Sequence, residues 1–435
     1  MGNAVPTPDS ERGAQLALLL IHFDKWVNRR VETVRFTDDG LARRYVSLDV
    51  SLDGEWMALT PTRPEAYPGT GVGLETRLLP LALLQKEPLS MLDVSKEDGS
   101  TMPVLGTSEN GFLAYSALAA YSAELLGVKQ AAELPEDLRR LLYRIARSPT
   151  EKAVAALEEL RNSDVMSFRE LSKDIVFTKL AADLSGNFVL LVEMEFDADK
   201  QVRRVVKFSY TIAPSTPKRR TLREWFRSPN EREYVFDLPS LGDAESHHFQ
   251  LSPPVGVAVS RCTLTATLPF RPVSHTAGAL VGGTAHLHSS RVGTGASGTA
   301  SVWLSASSHT VAPAALTSSV IFLLSAVLLG AHLWLDFPNP ESDTGWLGVL
   351  IALPGLAAGF IANQGELGVQ SRLLAETRFI LSMNAATLIV VAFAAALGLS
   401  QGWIFWILTS FVLVSALCFG RLGQTFCMAH RAGSV

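Results

Sequence analysis

The sequence predicts a mainly β, α+β soluble region followed by a bundle of four transmembrane helices. Charge is distributed very unevenly: residues 311–435 hold five acids, four bases and no lysine, whereas the first 310 residues hold 37 acids and 34 bases. Four long apolar runs fill the charge-poor part. Many short segments of the charged part alternate apolar with polar residues, which is typical of strands. We therefore divide the chain into 1–310 and 311–435.

The N-terminal part begins with an amphipathic helical pattern over 10–30, in which Leu16, Leu19, Phe23 and Trp26 share one face. Alternation over 46–52 then predicts a strand with one wet face, and the dipeptide at 98–99 predicts a hairpin turn. Residues 108–163 have the period of helices and interrupt the strands. Strand patterns return at 188–196, 206–212, 257–268, 280–289 and 299–307. Short strands separated by turns predict a β-sandwich-like region with a helical insertion.

The C-terminal part contains apolar runs at 314–335, 346–362, 379–398 and 403–420. At ~1.5 Å rise per residue they span roughly 25 to 33 Å, close to the thickness of a bilayer's hydrocarbon core. The loop after the first run is acidic, whereas the loop after the second run and the C-terminal tail carry arginine. Cationic loops stay in the cytoplasm, so four crossings place both termini there, in a bacterial plasma membrane. Tryptophans 334, 346, 403 and 406 would then form one interfacial belt outside.

Small residues in the second apolar run predict close helix packing. Gly355 and Gly359 form a GxxxG pattern, which lets another helix backbone approach closely. Packing within the four-helix bundle is the favoured interpretation, and homo-oligomerisation is the alternative. Asn384 is the clearest polar residue inside an apolar run, and we expect it to hydrogen-bond between helices.

The densest basic run of the chain interleaves cations with two aromatic residues. It consists of Lys218, Arg219, Arg220, Arg223, Trp225, Phe226 and Arg227. One interpretation is contact with anionic lipid headgroups, where each cation contributes about 1 kcal/mol. A solvated loop whose aromatic residues cover the sandwich is equally compatible with the pattern. The net charge of −4 gives no reason to expect nucleic acid as a partner.

Motifs for catalysis, cofactors and metals give no positive signal. Gly293, Gly295 and Gly298 match GxGxxG, but a strand pattern follows where dinucleotide binding needs a helix. His286 and His288 would share one side of a strand, without a carboxylate or cysteine at ligand spacing. Three cysteines without CxxC spacing indicate neither a disulfide framework nor a zinc site. We therefore predict no catalytic residue, no cofactor and no metal.

Several stretches resemble known proteins. They are 79–89, 93–105, 109–111, 205–210 and 354–378. In these stretches the chain resembles uncharacterised actinobacterial multi-pass membrane proteins with a cytoplasmic N-terminal region. The resemblance implies a membrane location and transfers no catalytic residue or ligand.

We consider three classes of function for this sequence. The first is a membrane-anchored, non-enzymatic interaction or sensor module whose partners are membrane lipid and another protein, because wet strand faces are a general platform for partners. The second is a channel or permease component, which the layout of strands followed by four membrane helices suggests. The predicted topology and the absence of Ser/Thr lining in the second run oppose it. The third, an enzyme, has no positive support.

Overall fold

The computed structural model describes most of the chain, with gaps at loops and over one long C-terminal segment. The described residues are 5–37, 41–62, 75–87, 90–196, 202–213, 231–268, 271–277, 279–281, 284–290, 296–335, 369–397 and 400–433. The basic run 218–227 and the second apolar run, with Gly355 and Gly359, lie outside the described residues.

The strands of the described chain form three sheets. Their bounds are β1 Val27–Phe36, β2 Ala42–Leu52, β3 Glu75–Gln85, β4 Ser90–Lys96, β5 Asn187–Phe196, β6 Val202–Ile212, β7 Arg232–Leu238, β8 Ser246–Ser252, β9 Val257–Leu268, β10 Arg271–Ala277, β11 Ala279–Val281, β12 Thr284–Ser290 and β13 Ser297–Ala306. A seven-stranded sheet has the order β11-β12-β8-β1-β2-β6-β4, a four-stranded sheet has the order β10-β9-β13-β7, and β3 pairs with β5. Within the seven-stranded sheet β1 and β8 are parallel, and its other strand pairs are antiparallel.

Helices cluster around one end of the seven-stranded sheet. Their bounds are α1 Ser10–Ile21, α2 Phe23–Trp26, α3 Gly54–Ala58, α4 Thr107–Leu125, α5 Glu136–Arg147, α6 Thr150–Arg161, α7 Met166–Lys173 and α8 Ile175–Gly186. The helical segment that interrupts the strands therefore extends to Gly186, beyond the predicted 108–163. The predicted first helix over 10–30 ends earlier, because β1 begins at Val27 and pairs with β2 and β8.

Two apolar cores cover the inner face of the seven-stranded sheet, the face that bears Val34 and Val46. The helical core contains Val46, Leu48 and Val50 of β2 together with residues of α1, α4 to α8, β3 and β5. The sheet core contains Val34 of β1 and Ala42 of β2 together with residues of β7, β8, β9, β12 and β13. Each of these two strands therefore contributes inward-facing residues to both cores: one part of the strand packs in the helical core and the other part packs in the sheet core.

Three long apolar helices follow the sheets. They are α9 Ser308–Leu335, α10 Val369–Ala396 and α11 Gln401–Gly433. Among the described residues these three are long and apolar enough to cross a membrane. The coarse prediction is confirmed: a β-rich N-terminal region with helices precedes apolar, membrane-compatible helices. The fourth predicted run, 346–362, lies outside the described residues.

The helices of this bundle have defined directions. Phe322 stacks on Phe419 at 5.6 Å between ring centroids, and His332 lies 6.4 Å from Phe405, so α9 and α11 are antiparallel. Asn384 Nδ2 donates to Ser318 Oγ at 3.1 Å. Leu374 also shares a small cluster with Val311, so α9 and α10 run in the same direction.

The bundle and the sheets share apolar contacts. Val369 and Leu373, in the first turns of α10, belong to the sheet core. Close by, Ala306, Val311, Leu374 and Phe426 form a second cluster, which we call the junction. Both α10 and α11 extend past their predicted apolar runs toward the sheets, α10 by ten residues at its start. The extra turns of both helices lie outside the apolar runs and extend toward the sheets.

Candidate functional site

A cluster of buried charges lies where the helical core and the sheet core meet. Arg30 and Glu32 on β1, Arg44 on β2 and His247 on β8 form this charge cluster. In β1 the positions 30, 32 and 34 alternate with wet positions and share the inner face. Arg44 is the register partner of Val34, and His247 is that of Arg30, so neighbouring strands bring the four side chains together.

Glu32 is the centre of the charge cluster. Its Oε1 accepts a hydrogen bond from Arg30 Nε at 2.7 Å and lies 3.3 Å from His247 Nε2. Its Oε2 lies 3.4 Å from Arg44 Nη1 in an ion contact without hydrogen-bond geometry. Arg44 Nη2 donates to the carbonyl oxygen of Asp237 on β7 at 2.9 Å. The cluster thus binds three strands of the seven-stranded sheet to one strand of the four-stranded sheet.

The electrostatics of the cluster favour a charged glutamate. Burial by itself raises the pKa of Glu32, but Arg30 and Arg44 outweigh it and hold that pKa well below its usual range. The guanidinium of Arg44 also lies 6.0 Å from the ring centroid of Tyr210, and that of Arg30 lies 6.0 Å from Phe208. Two cations therefore share one carboxylate in a setting with little water, where losing that carboxylate is costly.

Two acids beside the cluster have the opposite behaviour. Burial raises the pKa of Asp183, on α8, to about 6, against the attraction of Lys179. Burial also raises the pKa of Asp243, in the loop before β8, against the attraction of Arg30 and Lys179. Asp243 raises the pKa of Asp183 in turn, so protons taken up by this pair reduce repulsion between α8 and the sheet.

The charge cluster can hold two layers in register, but it has no opening for a substrate. Its four residues are at most 6% exposed. A group of three or more His, Cys, Asp or Glu residues able to hold a metal ion does not occur among the described residues. The inner-face charges therefore form a structural and electrostatic link between the helical core and the sheet core.

Polar contacts also occur between the apolar helices. Glu376 on α10 and Arg421 on α11 form an ion pair, with Arg421 Nη2 donating to Glu376 Oε1 at 2.8 Å and both side chains less than 10% exposed. This pair lies toward the junction end of the bundle. The predicted interhelical role of Asn384 agrees with its hydrogen bond to Ser318. Asn384 Oδ1 and Ser415 Oγ are buried without a hydrogen-bond partner among the described residues.

Other residues that the sequence analysis singled out occupy strands. His286 and His288 do share one side of β12, and His288 packs against His248 of β8 at 4.4 Å between ring centroids. Gly298 lies in β13, so a strand and not a helix follows the glycine motif. Gly293, Gly295, the basic residues from Lys218 to Arg227, and Gly355 and Gly359 lie outside the described residues.

Sequence reasoning missed the charge cluster. Arg30, Glu32 and Val34 follow one another at the period of two that a strand has, but the residues between them, Val31 and Thr33, are less polar than the two charged residues, so hydropathy does not place the charges on the inward face. Assigning 10–30 to one helix removed Arg30 from that pattern. Inward charges on a strand mark a position where burial needs specific partners, and those partners came from β2 and β8.

Comparison with known proteins adds no family. No family model matches the chain, and no curated protein matches it.

Proposed function

We propose that this chain is a membrane-anchored, non-enzymatic interaction or sensor module with a cytoplasmic β-sandwich-like region. One observation carries the proposal: α10 begins inside the sheet core, where Val369 and Leu373 are buried among strand residues. A displacement of the sheets would therefore move a membrane helix directly, because packed cores transmit strain. Such a connection suits a module that relates binding at its soluble region to its membrane part.

A sandwich-like arrangement is supported by the sheet core. Its residues come from the seven-stranded sheet, for example Val34 and Phe249, and from the four-stranded sheet, for example Tyr234 and Val302. Phe236 of one sheet and Phe249 of the other have ring centroids 5.8 Å apart. Apolar faces that interdigitate in this way are the defining feature of sheet-on-sheet packing.

Four crossings are supported by the directions of the described helices. Helices α9 and α10 run in the same direction, so residues 336–368 have to connect the far end of α9 to the near end of α10. A 28-residue helix is about 42 Å long, more than the hydrocarbon thickness of about 30 Å. A connection over that depth in lipid needs a membrane span, and the apolar run 346–362 is the segment we propose for it.

Orientation in a bacterial plasma membrane is proposed from charge and tryptophan. Arg378 and Arg421 lie toward the junction end of the bundle, whereas Trp334, Trp403 and Trp406 lie at the opposite end and are more than 60% exposed. Arginine favours the cytoplasmic side and tryptophan favours the interface. We therefore place the soluble region and the C-terminus in the cytoplasm.

Topology can be tested by cysteine labelling in intact cells. A single cysteine at Ser342 should react with an impermeant reagent, and one at Ser434 should react only after lysis. Cys427 is exposed, so the parent chain for both variants carries Cys427→Ser. Labelling of both sites in intact cells, or the reverse order, would contradict the proposed orientation.

Lipid contact by the basic run remains part of the proposal. The run precedes Arg232, whose register partner is Leu304, four residues before α9 begins. Its downstream anchor is therefore at the end of the four-stranded sheet that adjoins the bundle. Replacing Lys218, Arg219, Arg220, Arg223 and Arg227 by alanine should reduce retention of anionic lipid by the purified full chain, and unchanged retention would favour the solvated-loop interpretation.

The sensor proposal itself is tested through the connection between sheet and helix. Leu373→Ala removes packing between α10 and the sheet core, and Leu397→Ala, which is 60% exposed at the far end of the bundle, is the matched control. Full-length protein from native membranes should co-purify with a specific partner, and Leu373→Ala should alter that recovery more than Leu397→Ala. Equal recoveries for both variants would show that the connection carries no functional information.

A channel or permease component is the alternative. Buried polar atoms on facing helices favour it: Asn384 Oδ1 and Ser415 Oγ could line a hydrated path. Ion flux into vesicles containing the purified chain tests this reading. Flux that falls in Asn384→Leu and not in Thr409→Val, a half-buried position of α11, would replace the interaction module by a conducting one.

A further inference from the structure

A groove on the outer face of the seven-stranded sheet combines Arg43 with hydroxyl groups, and a second arginine, Arg35, lies opposite Arg43 on the neighbouring strand. The outer face bears Thr33, Tyr45 and Ser47, opposite to the two cores. The groove has a volume of about 350 Å³ and crosses β1, β2, β6 and β4. Its polar lining includes Thr33, Arg43, Tyr45, Ser47, Asp93, Ser95, Lys207 and Ser209. We propose that this groove is a binding site for a phosphate group, with Arg43 in its lining and Arg35, which lies beside the groove opposite Arg43 on β1, as the principal ligands.

The arrangement of the two arginines is the main observation. Arg35 and Arg43 are register partners on β1 and β2, so they lie directly opposite each other on the same face. Their guanidinium carbons lie 5.4 Å and 5.5 Å from the ring centroid of Tyr45, on which both stack. Like charges directly opposite on neighbouring strands repel each other. Within the described chain, neither guanidinium has an acidic partner to relieve that repulsion.

Hydrogen bonding fixes one of the two guanidiniums. Arg43 Nη2 and Nε both donate to Ser209 Oγ on β6, at 3.0 and 3.3 Å. This contact orients the guanidinium, and its remaining N–H groups have no partner among the described residues. Arginine presents its donors in a planar fork that matches phosphate oxygens, so a preoriented arginine is suited to that ligand. The ammonium of Lys207 adds a third cation to the groove wall.

Arg35 lies toward the end of the sheet that adjoins the bundle. Arg35 precedes Phe36, whose ring is 5.5 Å from Tyr234 of β7, and β7 begins with Arg232 beside the end of β13. Two sources could present phosphate here: an anionic lipid headgroup or a soluble phosphorylated compound. The chemistry of recognition is the same for both, and only the source differs.

A change at Asp93 should strengthen phosphate binding, whereas changes at the arginines should weaken it. Asp93 is exposed and lines the same groove on β4, where its charge opposes an anion. Asp93→Asn should therefore tighten phosphate binding, while Arg43→Gln and Arg35→Gln should weaken it. The matched control is Arg203→Gln: Arg203 is on the same outer face but already pairs with Asp49.

Phosphate binding is measured on the purified full chain in detergent, with inorganic phosphate titrated against chloride at constant ionic strength. We expect saturable binding by the unmodified chain, about a tenfold weaker affinity for Arg43→Gln or Arg35→Gln, and roughly twofold tighter binding for Asp93→Asn. Arg203→Gln should bind as the parent does. Melting temperatures without phosphate show that each variant is folded.

A second arm identifies the source of the phosphate. The same proteins are placed in nanodiscs of phosphatidylcholine containing a minor share of phosphatidylglycerol, and retained lipid is counted by mass spectrometry. Enrichment of phosphatidylglycerol that is lost in Arg43→Gln assigns a lipid headgroup, whereas binding of inorganic phosphate alone assigns a soluble ligand. Absence of both, or equal losses in Arg43→Gln and Arg203→Gln, would overturn the site. The detergent arm does not depend on the proposed sensor role, so the two can fail separately.

Discussion

Glu32→Gln is the most informative single change in this protein, because it removes one charge and almost no volume. Glu32 is fully buried and is the common partner of Arg30 and Arg44, whose side chains are only 5% and 7% exposed. The glutamine would leave two buried guanidiniums without the carboxylate that they share. Removing one partner of a buried ion pair costs about 3–5 kcal/mol.

A loss of that size is large for a folded region whose total stability is about 5–15 kcal/mol. It corresponds to a fall in melting temperature on the order of 10 °C. The measurement is urea unfolding of the detergent-solubilised full chain. Urea is uncharged, so it does not screen the ion pairs as a salt denaturant would. Tryptophan fluorescence is a suitable signal, since Trp26 is buried in the helical core.

Asp49→Asn is the matched control. It makes the same acid-to-amide change on β2, where Asp49 pairs with Arg203, whose side chain is 72% exposed. Exposed pairs contribute little, so this variant should unfold close to the parent. Adding Arg44→Met to Glu32→Gln should recover part of the lost stability, because it removes one uncompensated charge. Equal stabilities for Glu32→Gln and Asp49→Asn would refute the assignment of the charge cluster as a link between the cores.

Acid titration provides a second reading of the same residue. Arg30 and Arg44 hold the pKa of Glu32 below the ordinary unfolded value of about 4.3. A carboxyl with a depressed folded pKa stabilises the fold above the unfolded value and loses that contribution as pH falls through the folded value. The stability difference between the parent and Glu32→Gln should therefore shrink below about pH 4.

Three further outcomes are expected. Gly13→Ala should destabilise the protein by about 2 kcal/mol, because a Cβ there would overlap backbone atoms of α4, whereas Gly186→Ala meets nothing within 4 Å and should be neutral in the same melt. Asp183→Asn should flatten the stability profile: burial raises the pKa of Asp183 to about 6, so the parent should lose stability as pH rises from about 4 to 6. Arg421→Gln should lower the free energy of unfolding in detergent by about 3 kcal/mol, because it removes the arginine that pairs with the buried Glu376 carboxylate; a loss below about 1 kcal/mol, as for an exposed ion pair, would contradict this prediction.

The sequence predicted a helix or strand correctly where each face of the element lies in a single environment, either core, water or lipid. The alternation in 46–52 predicted β2, and the run 257–268 coincides with β9, because the period of two on a half-buried strand is written in neighbouring residues. The apolar runs predicted membrane-compatible helices for the same reason. The helix ends were less well predicted, since α10 extends toward the sheets over polar positions that only packing on the sheet core explains.

For the candidate sites too, the sequence shows individual residues but not the contacts between them. Arg30 and Glu32 are visible in the sequence as charged residues two positions apart, but Arg44 reaches them only through the register of β1 and β2, and His247 is far away along the chain. The outer groove likewise needs Arg35, Arg43 and Ser209 to meet across three strands. Strand register and sheet order determine such meetings, and both depend on long-range pairing.

By itself the sequence determined that a charged, strand-rich region precedes a charge-poor part with membrane-compatible helices, because hydropathy and period depend on neighbouring residues alone. Only the tertiary structure decided that β1 and β2 divide their inner face between two cores, with Glu32 at the boundary, and that α10 starts within the sheet core. The physical reason is that burial is a property of the packed layers. A residue such as Val369 becomes part of a core only when distant strands lie against it.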